Sequence, residues 1–399
     1  MRRSPSFLCV SSRFVPWVAR LALVFAMGCG DDDPVSALDA SADATADAAV
    51  DATIDAVPDG PAPDGDAAAP LPGLGDLAAG QWHELLPGGD TICSRGTEFA
   101  FYVYPGTTNE VAVNFIGGGA CWNAATCSIA GALFSEDIED VRNAYATGQV
   151  EGIADMADAR NPIGTYTHVV VPYCTGDVHW GDNVVDYSPA VQINHKGAVN
   201  SRVVLGWIYD NIAAPDTVFT TGCSAGGYGS VPWAADLREN YPTAHHVQFS
   251  DSAAGIITDS FFMDSFPSWN AIPAFPTNIP GFDATNVMDL ATIYTALAGF
   301  YPDMRFSQYN TVLDGVQVSF YEAMGGAGGA EGWSDRMTTS VDSIAGDNFH
   351  SYLADGTQHC IIIRPEFYSR SSNGVALVDW IEDLLADQPV PDVVCENCE

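Results

Sequence analysis

Residues 218–230 read VFTTGCSAGGYGS. A short apolar, β-branched run ends in Gly222-Cys223-Ser224-Ala225-Gly226, and a glycine-rich segment follows. The five residues fit G-x-S-x-G without a mismatch. The motif alone is common; what constrains the fold is its setting, with a strand before it and a helix after it. In that setting the chain turns sharply from strand into helix and forces the serine into a strained backbone conformation. Glycines two before and two after keep neighbouring atoms apart. Ser224 Oγ is then lifted above a sheet, at a helix N-terminus that favours developing negative charge.

The rest of the chain supplies the sheet. Glu98–Tyr104 (EFAFYVY) and Glu110–Phe115 (EVAVNF) read as adjacent strands, and Thr167–Val171 (THVVV) as a third. Further strands are expected at 216–220, 245–249 and within 304–312. In residues 196–212, Val199, Val203, Val204, Trp207 and Ile208 recur at helical spacing. Helices are also expected at 226–237, 334–344 and 374–387. Strands alternating with helices predict an α/β, α/β-hydrolase-like fold, a mostly parallel central sheet with helices on both faces.

A serine nucleophile needs a base, and the base needs an orienting carboxylate. In a sheet of this kind the chain order is Ser, then Asp or Glu, then His. His83, His168, His179 and His195 precede Ser224, and His245 and His246 flank a strand just beyond it. His350 (in FHSYL) and His359 (in DGTQHC) remain. His359 follows a turn signal in a late loop, where a base belongs; His350 fits a strand. For the acid, Asp314 ends YNTVLD and Asp251 ends QFSD, and spacing alone leaves both open. The developing oxyanion needs pre-aimed backbone N–H groups. One is Ala225 N–H. Others are expected from Gly117-Gly118-Gly119-Ala120, which follows the strand at 110–115.

Residues 1–28 read as a lipoprotein signal: four arginines, then a short apolar core too brief to span a bilayer. Ala26-Met27-Gly28-Cys29 resembles a lipobox, which makes Cys29 the lipidation site. Gly30 after Cys29 favours the outer membrane or cell surface. Residues 29–75 form the next segment. Its stretch 31–70 holds eleven Asp with no basic or aromatic residue, and such a stretch predicts a disordered tether. The domain follows at 76–399. Leader and tether remove four of the fourteen basic and eleven of the fifty-one acidic residues, leaving a formal charge of −30. That balance excludes nucleic acid and other polyanions as partners. Membrane contact is expected through the lipid anchor only. Eight cysteines remain in an exported chain, where disulfides persist. The C-x5-C of Cys121 and Cys127 allows a local ring. Cys398 forms a C-x-x-C with Cys395; the pair closes its own ring or reaches back to Cys360. No second pair or nearby histidine completes a zinc site there, so no metal is expected.

Several segments together resemble the pectin acetylesterase/Notum family of serine carboxylesterases. They are Cys93-Ser94-Arg95-Gly96-Thr97, Gly117-Gly118-Gly119-Ala120-Cys121-Trp122-Asn123, Val171-Pro172-Tyr173-Cys174-Thr175-Gly176-Asp177-Val178-His179, Gly222-Cys223-Ser224-Ala225-Gly226-Gly227 and Asp314-Gly315-Val316-Gln317. They run in family order over residues 80–365. The resemblance implies hydrolysis of O-acyl esters without cofactor or metal. It makes Ser224 the nucleophile, Asp314 the orienting acid, His359 the base, and Gly118, Gly119 and Ala225 the oxyanion hole. It also implies the disulfides Cys93–Cys174 and Cys121–Cys127. Gly119 stands where the animal lipid-removing member has an aromatic, which points to a small acyl group, acetyl first. The negative charge points to a neutral acetylated glycan or small ester rather than de-esterified pectin. A lipase-like esterase for longer acyl chains, or a silent glycan- or lipid-binding envelope module, are the alternatives. Trp122, Asn123, Asp177, His179 and Trp180 are expected near the pocket, and the aromatic, proline-rich segment 261–282 is expected to shape acyl access.

Overall fold

Strands that are apolar on both faces must be covered on both faces. The sequence THVVV is buried at all five positions, and EVAVNF at all but its first. The computed structural model describes residues 70–128, 133–280, 289–396 and 398, and it has the sheet those runs demand. In chain order the strands are β1 (His83–Leu85), β2 (Phe101–Tyr104), β3 (Glu110–Phe115), β4 (Thr167–Val171), β5 (Asn183–Ser188), β6 (Val191–His195), β7 (Thr217–Cys223), β8 (His245–Asp251), β9 (Met304–Thr311) and β10 (Phe349–Ala354). Eight of them form one sheet in the order β1-β2-β4-β3-β7-β8-β9-β10. From β4 to β10 all neighbours are parallel; β1 and β2 form an antiparallel edge. β2 and β3 are therefore not adjacent as expected, because β4 lies between them. β5 and β6 form a separate hairpin.

The helices are α1 (Ala124–Ser128), α2 (Glu139–Thr147), α3 (Gly197–Asn211), α4 (Ala225–Asn240), α5 (Asp259–Trp269), α6 (Leu290–Phe300), α7 (Gly315–Ala323), α8 (Gly329–Asp342) and α9 (Leu377–Leu385). Alternation along a strand sends neighbours to opposite cores. Val218 joins a large core with residues of α3 to α8, whereas Phe219 joins a second core with Trp380 and Ile381 of α9. Both are fully buried. Each such side chain contributes roughly 1.5–3 kcal/mol, so either face stripped of its helices loses the sheet. No helix among the described residues is long and apolar enough to cross a membrane.

The signal, the lipidation site Cys29 and the tether up to residue 69 lie outside the described residues. Described residues ahead of 76 also make contacts with the domain. Leu71, Leu74 and Leu77 pack on the large core. Trp207 Nε1 donates to Pro72 O at 3.0 Å, and Leu74 N donates to Asn211 Oδ1 at 3.2 Å.

Candidate active site

Parallel strands gather their C-terminal ends, and the loops that leave them, at one edge. The register brings Phe115 beside Gly222, Cys223 beside Asp251, and Asp251 beside Tyr309. Ser224 follows β7 directly, as the residue before α4, with φ +56° and ψ −124°. This is the strained turn that G-x-S-x-G demands. The reason for Gly226 is visible: a Cβ there would run into the carbonyl of Phe115 on the next strand.

Asp314 does not end a strand as expected. β9 stops at Thr311, and Asp314 caps α7, accepting from Val316 N and Gln317 N at 3.0 Å each. Gln317 Nε2 donates to the other carboxylate oxygen at 3.0 Å, while Gln317 Oε1 accepts from Ala254 N at 2.8 Å. His359 Nδ1 donates to Asp314 Oδ2 at 2.8 Å. A carboxylate so supplied is an acceptor, so Nδ1 carries the proton and Nε2 is left to accept one. Asp314 is fully buried and His359 half-buried.

His359 and Ser224 line the same cavity. No hydrogen bond joins the Ser224 hydroxyl to the ring among the described residues. An imidazole nitrogen of His359 and the sulfurs of Cys223 and Cys360 lie within 4.8 Å of one another. These two cysteines form a disulfide, as do Cys93–Cys174, Cys121–Cys127 and Cys395–Cys398. The last is the local ring, and Cys360 turns instead to Cys223, a pairing that spacing did not indicate. Cys121, Cys127 and His195 form a second cluster of metal-binding residue types, but in both clusters the sulfurs are bonded to each other and offer no thiolate.

The glycine loop lies against Ser224. Gly119 has φ +77°, and a Cβ would run into Leu133 O. The loop bonds to its neighbour through Gly118 O, which accepts from Ser135 N, and Ala120 N, which donates to Leu133 O. Among the described residues nothing takes the amides of Gly118 and Gly119. Ala225 N, in the first turn of α4, has no acceptor within its helix.

The two other candidates sit elsewhere. His350 lies on β10 near Arg305. Asp251 is fully buried, but its oxygens accept from Ile361 N, Ile362 N and Ser252 Oγ rather than from the His359 ring. Of the residues expected near the pocket, only Trp180 lines it. Trp122 packs on Phe261, and Asn123 caps α1. His179 Nε2 donates to Ile116 O at 2.9 Å and so fixes the start of the glycine loop. Asp177 accepts from Thr175 Oγ1 and Gly197 N. Burial pushes its carboxyl up to about 6 and the His179 imidazole down to about 4.

The cavity runs away from Ser224 between α5, α6, α7 and α8. Phe261, Phe266, Trp269, Ile293, Phe320 and Trp333 are among its walls. The segment 261–282 thus supplies walls of the cavity, through α5; its last two residues lie outside the described ones.

A serine at a strained strand–helix turn, an Asp-bound imidazole and a glycine loop thus lie on one edge. A model described as pectinacetylesterase matches residues 88–266. These residues are similar to the pectinacetylesterase family over somewhat less than half of the chain. Pectinacetylesterases act on acyl groups, and the matched stretch holds the glycine loop and Ser224. Among solved structures, one described as the Wnt deacylase Notum from Drosophila has a TM-score of 0.59 at 14% identity. The alignment covers 80% of this chain and 96% of that one. At that identity the likeness is one of fold, the α/β-hydrolase arrangement. No curated protein matches the chain. The four disulfides and the family of esterases fit an extracytoplasmic setting.

Proposed function

We propose that the chain is a serine carboxylesterase that hydrolyses O-acyl esters through Ser224, His359 and Asp314. The observation that carries this reading is the hydrogen bond from His359 Nδ1 to the buried Asp314 carboxylate, beside a serine in the strained conformation of a nucleophile. His359 Nε2 takes the Ser224 proton as Oγ attacks the ester carbonyl. The carbonyl oxygen becomes an oxyanion held by the amides of Gly118, Gly119 and Ala225. His359 returns the proton to the leaving alcohol, and an acyl-serine forms. Water attacks by the same route and releases the acid.

An acetylated neutral glycan or small ester remains the first substrate class, on the family and on charge. The apolar cavity supports a second reading, an ester with a longer acyl chain, because an acetyl group needs no such wall of aromatic rings. The N-terminal leader and Cys29 fit attachment to the cell envelope by a lipid anchor, with residues 29–75 as tether.

The deciding experiment uses a chromogenic acetyl ester. Ser224→Ala is expected to abolish turnover with the circular dichroism spectrum intact, and a fluorophosphonate probe is expected to label the wild type alone. Undiminished turnover by the variant refutes the proposal.

A further inference from the structure

A fully buried carboxylate with no cation beside it is costly, by several kcal/mol unless other donors replace water. Asp251 is such a group. It is 0% exposed and belongs to no ion pair among the described residues, and burial pushes its carboxyl up to about 6. Its amide donors come from the loop after His359, and its hydroxyl donor from the neighbouring Ser252. Oδ2 accepts from Ile361 N at 2.6 Å and Ile362 N at 2.9 Å. Oδ1 accepts from Ser252 Oγ at 2.9 Å, and that hydroxyl oxygen accepts from Cys360 N at 2.9 Å. Three successive amides after His359 are thus held by this acid and its neighbour. They are available because Cys360 is left-handed, with φ +61°, a conformation costly for a non-glycine residue. On its other side, Asp251 O accepts at 2.8 Å from the amide of Ser224, which itself has φ +56°.

One residue therefore anchors both strained turns. We propose that Asp251, extended by Ser252, is a positioning residue that holds the His359 loop against the Ser224 turn. Its carboxylate acts on the rate only through where it places His359. It is not the triad acid, since Asp314 occupies the imidazole Nδ1. The proposal rests on the serine-esterase reading above.

The test compares full-length wild type with Asp251→Ala, Asp251→Asn and Ser252→Ala, using a chromogenic acyl ester and a fluorophosphonate probe. Asp251→Ala is expected to lower kcat and the probe's labelling rate about a hundredfold, the effect of displacing a catalytic group by about 1 Å, with KM within twofold. Asp251→Asn keeps an oxygen for the amides of 361 and 362 and is expected to recover most of the loss. Ser252→Ala is expected to lose about tenfold in kcat. A folded Asp251→Ala enzyme with wild-type kcat, or a loss that appears only in KM, overturns the proposal. If Asp251→Ala does not fold, Ser252→Ala decides, and an unchanged kcat there overturns it. Failure of the esterase reading shows separately, as a wild type that neither labels at Ser224 nor depends on it; that result removes this proposal as well.

Discussion

Cys223 and Cys360, joined by a disulfide, are the residues immediately before Ser224 and immediately after His359. The bond spans 137 residues of sequence yet lies beside the two groups whose separation decides proton transfer. It complements the Asp251 contacts, which act on the same two turns through hydrogen bonds. Closing so long a loop restricts the unfolded chain, with an expected contribution of about 3–5 kcal/mol. The double variant Cys223→Ser/Cys360→Ser is expected to melt at lower temperature and to lose at least tenfold in kcat with little change in KM. Thermal melts and steady-state kinetics on one preparation separate the two effects; a lower melting temperature with intact kcat assigns the bond to stability alone.

Two glycines should resist the smallest substitution. Gly226→Ala places a methyl group against Phe115 O, backbone against which nothing can rotate away. The expected result is loss of soluble folded protein. Gly119→Ala meets both a left-handed φ and Leu133 O. It is expected to fold, with the loop displaced, and to lose 10²–10³ in kcat, the cost of one oxyanion donor. Retained kcat in folded Gly119→Ala separates that loop from oxyanion binding.

Stability should fall on the acid side. Burial lowers the imidazoles of His168, His179 and His195 to about 3, 4 and 4, below the unfolded value near 6.5. Each keeps the folded state neutral, so its contribution is complete above pH 6.5 and is lost as pH falls towards 4, at about 2–3 kcal/mol apiece. Asp177 and Asp251, raised to about 6, act in the opposite sense as pH falls from about 6 to 4. The histidines outnumber them, and the melting temperature is expected to drop by several degrees between pH 7 and pH 4.5. His168, whose two nitrogens have no hydrogen-bond partner among the described residues, offers the cleanest check: His168→Leu should flatten the curve. A melting temperature that rises towards pH 4.5 contradicts this account.

The cavity invites a selective block. Ile293 on α6 lines it and is buried. Ile293→Trp is expected to cut kcat/KM for an octanoyl ester at least tenfold while leaving an acetyl ester within threefold. Equal losses on both esters would mean that the cavity is not where the acyl chain lies.

Local sequence revealed the strands buried on two faces and the turn at Ser224, because β-branched runs and the spacing of glycines are imposed by neighbours in the chain. It did not reveal the order of strands. β4 separates β2 from β3 through pairing across some fifty residues, which no local pattern encodes. Asp314 was legible in a second way. Asp-x-x-Gln is the signature of a helix start, and it identifies the cap that the strand-like YNTVL concealed. Asp177 and His179 stand in the family-like segment Val171–His179, yet each acts through a buried main-chain contact, so their exclusion from the cavity could be seen only in three dimensions. The bond between Cys223 and Cys360 was within reach once Ser224 and His359 were paired, since the two cysteines adjoin them.

The docking of residues 71–77 has a consequence for α3. α3 begins at Gly197, whose amide Asp177 holds near the catalytic edge, and ends at Asn211, which grips Leu74. Fifteen helical residues, about 22 Å, separate these points. Leu74 is thus fixed at the end of α3 away from the Asp177 contact. Loss of residues 70–77 would therefore uncover the far end of that helix while leaving the Asp177 contact at its start in place.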